Sequence, residues 1–338
     1  MRQRKVEWVD MADYQIEWYN DVYFDEWDMF IQEKSVNGTM LQTRKFLSYH
    51  PKERFKDCSV VVKMKGTIVA VCPACELTED GKKVFMSHGG STYGGLIVSL
   101  GVCKIEKMDQ LIKAVEHFLL DAGFSKIIYK QTPDLLSESK NDLLYFCLQY
   151  EGYEEQQELN LYIDFEKYSE QIIKNFYKGR RSCVKSCMSR GMELKELQSK
   201  EEFGKFHQIL KENLKKHGKS PVHTVEELLL LKAILKDEIE FWYVEFEGRM
   251  AAGAMVFCFH KVKCMHTHYL AADLQLDEYS PMSFLYYSMI DHAMHQGYRK
   301  VSWGIATDHD GNVNWNLSKT KESYGSIHEI NRTYVKAV

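Results

Sequence analysis

The chain has 338 residues, enough for about two domains of ordinary size, and 45% apolar with 27% charged residues describes a globular protein, neither disordered nor collagen-like. A formal net charge of −4 excludes broad, sequence-independent binding of DNA, which needs a basic field, and leaves room for one local basic patch. No apolar run approaches the roughly 20 residues of a membrane helix, and the basic start at residues 1–5 runs into Val6, Glu7 and Trp8 without an apolar stretch. The expectation is therefore a cytoplasmic protein with no signal peptide and at most peripheral membrane contact. Nine cysteines, mostly set in apolar segments, read as reduced, buried thiols.

In chain order, residues 13–34 are predicted helical, with Trp18, Phe24, Trp27 and Phe30 facing a core. Residues 60–70 read as two strands about a tight Lys65-Gly66 turn. The glycine-rich stretch 87–95 leads into a predicted strand at 96–100. It is therefore no dinucleotide loop, which must open a helix, and it lacks the Gly-Lys-Ser/Thr of a P-loop. A helix from Met108 ends at Gly123, and a strand opens at Lys126. The alternating stretch 159–164 closes the first sheet, and 165–190 is predicted to be one helix rich in Lys and Arg. A strand follows at 192–197, then a helix with Phe203, Phe206, Ile209, Leu210 and Leu214 on one face, then a buried helix at 226–235.

The last third repeats the first. Met108 and Met282, like Gly123 and Gly297, are offset by the same 174 positions. Both segments read as an amphipathic helix ended by a glycine cap, an aromatic residue and a strand that opens with lysine. Upstream, residues 242–252 form the same strand–turn–strand pattern as 60–70, here with Gly248 at the turn. Two copies of one unit follow: an α/β chain of mixed sheets in two domains, 1–165 and 166–338.

The order hairpin, helix, Gly-aromatic-x-Lys, strand resembles the core of the GNAT acyltransferase fold. Four stretches resemble, in order, those of Fem-type peptidoglycan-bridge aminoacyltransferases, which join two such domains. They are 37–47 with Asn37, Gly38, Thr39, Gln42, Thr43, Arg44 and Phe46; 87–95 with Ser87, Tyr93, Gly94 and Gly95; 180–192 with Arg180, Arg181, Lys185 and Gly191; and 317–325 with Leu317, Lys319, Lys321, Glu322, Tyr324 and Gly325. The resemblance implies two tandem GNAT-like domains that transfer an acyl or aminoacyl group to an amine of a nucleotide- or lipid-linked envelope precursor. The acceptor is a peptidoglycan stem peptide or an amino sugar of a surface polysaccharide. No cofactor is bound permanently; the donor is a co-substrate, charged tRNA or acyl-CoA. Two departures qualify this. The glycines that cradle acyl-CoA pyrophosphate are missing at 279–285 and 106–109, and the coiled-coil insertion associated with tRNA binding is missing too. Two other readings stay open: an acyl-CoA-dependent N-acetyltransferase with an unusual pocket, and a degenerate GNAT pair that only binds.

Among individual residues, Arg181 and Lys185 lie four apart on one helical face with Arg180 alongside, which is either a solvated face or a phosphate site. The family motif adds Lys319 and Lys321 to that patch. Thr43, Arg44, Tyr93, Gly94 and Gly95 are candidate substrate contacts by the same resemblance, although the glycines also suit a plain turn. His266 and His268 alternate along a strand and share a face, with Tyr269 next to them. They are buried structural groups or a base for the attacking amine. His268, Tyr269 and Lys319 are the catalytic candidates, and Asp273 is a further base. No metal is expected, since a third ligand is not in view. Cys72 and Cys75 read as buried thiols, as do Cys183 and Cys187; no Gly-x-Ser-x-Gly elbow occurs.

Overall fold

The computed structural model describes residues 14–216, 218–308 and 311–338, so the reading of the first ten residues falls outside the described part. The chain forms two compact units, residues 1–157 with 332–338, and residues 158–331. The expected division at 165/166 compares with a change of unit at 157/158, and the last seven residues belong to the first unit.

Unit 1 opens with strand β1 (Tyr14–Trp18), where a helix was expected. Tyr14, Ile16 and Trp18 alternate with Gln15 and Glu17, so the local period is two, and the strand pairs antiparallel with residues 60–64. Helix α1 (Phe24–Met29) follows and runs into a π-turn over Phe30–Lys34. Trp27 and Phe30 are buried as predicted, while Trp18 and Phe24 stay at the surface. After α2 (Arg44–Leu47) and β2 (Lys56–Asp57) come β3 (Val60–Met64) and β4 (Thr67–Cys72). Lys65 and Gly66 both have positive φ, 52° and 78°, the twist a two-residue hairpin needs.

Pro73 separates β4 from a second hairpin, β5 (Ala74–Glu79) and β6 (Lys82–Ser87), in a different sheet. Its Asp80-Gly81 turn was an overlooked hairpin signal. The strand expected at 96–100 shrinks to β7 (Ile97–Val98), because Leu100–Val102 turn into a 3-10 helix. Helix α3 (Ile105–Asp121) ends at Gly123, whose φ of 81° completes the cap. Strand β8 (Phe124–Lys130) then lies parallel to β6, and α4 (Asp142–Tyr150) and β9 (Glu154–Asp164) follow.

Unit 2 departs from the expected helix at its start. Residues 165–190 are not one helix: two short 3-10 turns precede α5 (Lys178–Ser189). The Asn175 side chain bonds the N–H and carbonyl of Ser169 and the carbonyl of Ile172, holding a turn in competition with helix. Strand β10 (Glu193–Glu196) is followed by α6 (Lys200–Lys215) and α7 (Val225–Leu235). Each of these helices opens on a capping box, Ser199/Glu202 and Thr224/Glu227. The hairpin that repeats β3–β4, made of β11 (Ile239–Phe246) and β12 (Arg249–Phe259), turns at Glu247 and Gly248 with φ of 51° and 73°.

Next come β13 (Cys264–Ala272), α8 (Pro281–His295), β14 (Lys300–Ile305), α9 (Trp315–Glu322) and β15 (Ile327–Ala337). Strands β13 and β14 are parallel, joined across α8, as β6 and β8 are joined across α3. Helix α8 packs on β11–β14 and α6 on β12 and β13, burying Met265, Met289, Ile290 and Val301 completely. Among the described residues, no helix is long and apolar enough to cross a membrane.

Candidate active site

The backbone pairing of β13 with β14 ends at His266 and Ser302, although β13 runs on to Ala272. The two parallel strands thus stop bonding halfway and leave facing edges open. Two irregularities shape this opening. On β13, Thr267 faces Val256 and Tyr269 faces Met255, so His268 is an extra residue in a bulge. On β14, the register against β9 slips between Ser302 and Ile305, with Gly304 at φ 74°.

His266 lies beside Phe259 and His268 beside Phe257, so both imidazoles border the same row of β12. Because of the bulge Tyr269 does not turn away: His268 and Tyr269 both lie against His223, with ring centroids 5.5 and 5.6 Å from it. The Tyr269 hydroxyl is 2.7 Å from His223 Nδ1. His266 Nδ1 is 2.9 Å from Ser302 Oγ, which in turn reaches Asn160 Oδ1 at 3.3 Å.

Lys321 enters the same region from α9. It is 3% exposed, and its ammonium donates to the carbonyls of Gly304 (2.9 Å) and Ile305 (2.7 Å), the segment that the β14 bulge turns outward. Burial, with no carboxylate partner among the described residues, brings its pKa down to about 7. Burial, with the Lys321 charge adding to it, lowers His266 to about 3. Burial also holds His268 well below the usual histidine range, with His223 and His266 as smaller contributors, and its Nε2 is buried without a hydrogen bond. These groups are neutral or half-neutral near pH 7, the condition for a lone pair that takes or returns a proton. Among the described residues no cluster of His, Cys, Asp and Glu could hold a metal ion.

A second feature lies at the start of α8. Arg180 donates from Nε to Ser323 Oγ (3.0 Å) and from Nη1 to Ser283 Oγ (3.1 Å), with its guanidinium 5.4 Å from the Tyr324 ring. Ser283 lies in the first turn of α8, so a full positive charge, met by hydroxyls, stands where the helix dipole is also positive. Arg181 and Lys185 are exposed on α5, as is Lys319 on α9. Asp273 is occupied elsewhere, capping Gln275 and pairing with Arg249 at 2.8 Å.

The other candidates lie in unit 1 and have structural partners. Thr43 caps α2 and bonds the Met40 carbonyl at 2.6 Å. Arg44 pairs with Asp57 (2.6 Å), donates to Ser59 (3.1 Å) and lies 3.6 Å over the Tyr19 ring. Tyr93 is buried, its carbonyl accepting from Ser91 and Gln42. Gly94 approaches Ser87 so closely that a Cβ would lie 3.0 Å from it, and Gly95 takes φ 77° beside Gln131. Cys72 and Cys75 are buried, and burial pushes both thiols up.

Sequence reading missed His223, Asn160 and Ser302. Asn160 had no signal, since between Leu159 and Leu161 in an alternating strand a polar residue reads as outward-facing, yet it is fully buried. His223, in the connection between α6 and α7, had none, because its pairing with Tyr269 depends on the bulge.

A family profile described as an acetyltransferase (GNAT) domain matches residues 174–311. FemX has a similar fold, with a TM-score of 0.70 at 12% identity over 96% of this chain and 97% of that one. The tandem GNAT protein from the clavulanic acid biosynthesis pathway gives a TM-score of 0.55 at 8% identity, covering 96% and 98%. L-PGS from Bacillus licheniformis gives 0.56 at 13%, covering 80% and 81%. No curated protein matches the sequence. At such identities the likeness to these structures is one of fold. With the matched domain enclosing β13, α8 and β14, the chain is an acyltransferase that carries a GNAT domain at 174–311 within a tandem-GNAT architecture of the FemX kind.

Proposed function

We propose that the chain transfers an acyl or aminoacyl group from a phosphate-bearing donor to an amino group of a nucleotide- or lipid-linked cell-envelope precursor, on the cytoplasmic side. The observation that carries this reading is Arg180. Its charge, unmatched by any carboxylate among the described residues, stands beside the first turn of α8, so an anion is what completes the site. The FemX-like architecture and the likeness to a lysylphosphatidylglycerol synthetase domain support an envelope acceptor. In this reading the amine attacks the acyl carbon in the opening between β13 and β14. Lys321 stands ready to exchange a proton, and unpaired strand-edge N–H groups are available to a developing oxyanion.

The profile's own description favours a second reading, acetyl-CoA as donor. The two are separated by offering radiolabelled acetyl-CoA and bulk charged tRNA in parallel. The acceptors are a nucleotide-linked peptidoglycan stem peptide, an undecaprenyl-linked amino sugar and phosphatidylglycerol vesicles. Transfer from charged tRNA is the expected result, and Arg180→Glu should lower it by about 10²-fold. A thermal shift of several degrees with CoA alone, together with acetyl transfer, would replace the tRNA reading with the second. No turnover across both donors and all three acceptors would leave a protein that only binds and would overturn the proposal.

A further inference from the structure

His223 extends the acyl-transfer reading and rests on it. We infer that His223 is the proton acceptor behind Tyr269: the phenol passes its proton to His223 Nδ1 while Tyr269 Oη takes the proton of the attacking amine. The geometry comes from three elements. The bulge at His268 swings Tyr269 towards the connection between α6 and α7, where His223 is 6% exposed and its Nδ1 lies 2.7 Å from Oη. His207 of α6 holds that connection in place, its Nε2 2.9 Å from the His223 carbonyl. The Thr224/Glu227 capping box that opens α7 fixes the residue after it.

The protons balance. An amine N–H bond breaks and an Oη–H bond forms; the old Oη–H bond breaks and an Nδ1–H bond forms. The amine nitrogen bonds to the acyl carbon as the donor's ester or thioester bond breaks. The imidazolium then releases its proton to water, and the leaving group takes a proton from the Lys321 ammonium, which water restores. Val222, next to His223, is 69% exposed, so the connection borders solvent. Backbone N–H groups of Val222 and His223 approach Oη and hold charge on it during the exchange. At rest the phenol stays neutral, because burial raises it to about 12 against the smaller lowering effect of those N–H groups.

The titratable groups facing this pair are His268 and His266 on β13, Glu227 on α7 and His207 on α6. His266 and His268, both lowered by burial, stay neutral through the assay range and do not compete for the proton.

His223→Asn tests this directly. An asparagine oxygen can accept the Tyr269 hydrogen bond but cannot take the proton, so placement is kept and transfer is lost. With the donor and acceptor that the wild-type chain turns over, kcat should fall about 10²-fold and KM should change less than roughly threefold. Tyr269→Phe should be as slow, and the double variant no slower than either single one. Should His223→Asn melt early, Tyr269→Phe, which removes one hydroxyl, carries the same measurement. An H223N enzyme with wild-type kcat, or one whose loss lies in KM alone, overturns the relay while leaving acyl transfer standing. A wild-type chain inactive with every donor removes the acyl-transfer reading and the relay with it.

Discussion

The duplicated unit appears twice as a parallel strand pair crossed by a helix, and the two copies treat the space between their strands in opposite ways. In unit 1, β6 and β8 pair from Lys83 to Met86, and the polar edge beyond is closed at once. Ser87 Oγ accepts from the Lys130 N–H at 2.6 Å, and the Lys130 carbonyl accepts from Gly94 at 2.9 Å. Phe85 and Tyr129 fill what remains, and burial keeps the Tyr129 phenol neutral. In unit 2 the pairing stops at His266 and Ser302, and the space beyond holds two imidazoles, an asparagine, a serine hydroxyl and an amine. Burying polar groups costs stability unless they are well bonded, so a copy that keeps five of them does so against the folding interest that the first copy satisfies. The closed copy shows what the fold needs, and the open copy shows what has been added to it.

The largest effect should come from Lys321→Met, which keeps the volume and removes the amine. A positioned proton carrier contributes about 10² to 10⁴ in rate, so kcat should fall within that range. Stability should rise or hold, because an apolar residue suits the site better. The pH dependence supplies the sign. The Lys321 pKa in the folded state, about 7, is below its unfolded value, so between the two the unfolded chain binds the extra proton. Wild-type stability should therefore rise as pH goes from about 7 towards about 10.4, by at most about 1.4 kcal/mol for each pH unit in that window. In Lys321→Met that rise should be missing from urea melts. Equal pH slopes in both proteins would mean that the amine is solvated and the open copy is not dry.

Next in size is the closing turn of unit 1. Gly95→Ala forces a Cβ onto positive φ and against the Gln131 amide, which should cost about 1–3 kcal/mol of stability. Turnover per folded molecule should be unchanged. A normal melt with a raised acceptor KM would instead make the 87–95 stretch part of a substrate site and end the contrast between the copies. Arg44→Met sharpens the same point. Burial would raise the Asp57 carboxyl, yet Arg44 and the Ser59 N–H hold it below the usual range. Removing Arg44 should destabilise by about 1–3 kcal/mol, less than for a fully buried pair because the Asp57 side chain is 36% exposed. The carboxyl's contribution in the wild type is present above its unfolded pKa and is lost as pH falls through the folded one.

What could be read from the sequence was local. The Lys65-Gly66 and Glu247-Gly248 hairpins and the glycine caps of α3 and α8 are fixed by positive φ at single residues, so the repeat was legible without any tertiary contact. Where longer-range pairing decides, the reading failed. The segment 13–34 carries aromatics that suit either period, and pairing with β3 made its start a strand. In 165–190 the lysines and arginines favour helix, but Asn175 bonds locally and delays it by a turn and more. The site was half legible. His266, His268 and Tyr269 stood out by composition, but the bulge that brings His268 and Tyr269 against His223 is a matter of register between β12 and β13, which no single strand records.

A smaller effect belongs to the outer face of α5. Arg181 and Lys185 are exposed, so reversing both to glutamate should leave stability within about 0.5 kcal/mol. The donor KM should rise about tenfold at low salt, and the difference should shrink as salt screens the face. An unchanged KM would confine phosphate recognition to Arg180.

The smallest effect separates two lysines that the family motif offers together. Lys319 and Lys321 are two residues apart on α9, hence about 200° apart around the helix, and cannot serve one site equally. The phase is set by Asn314, which caps the helix through the Leu317 N–H, and it turns Ser318 and Lys321 inward on one face. Lys319 is left at the surface, one turn after the exposed Trp315. Lys319→Gln should therefore change kcat by less than about threefold, with any loss in KM and sensitive to salt, as for a solvated charge that meets a phosphate in passing. A collapse of kcat in Lys319→Gln with Lys321→Met active would mean that α9 rotates or unwinds when substrate binds. The amine that acts would then be the one that starts outside, and the buried lysine of the open copy would be a structural plug like the aromatic fill of the closed one.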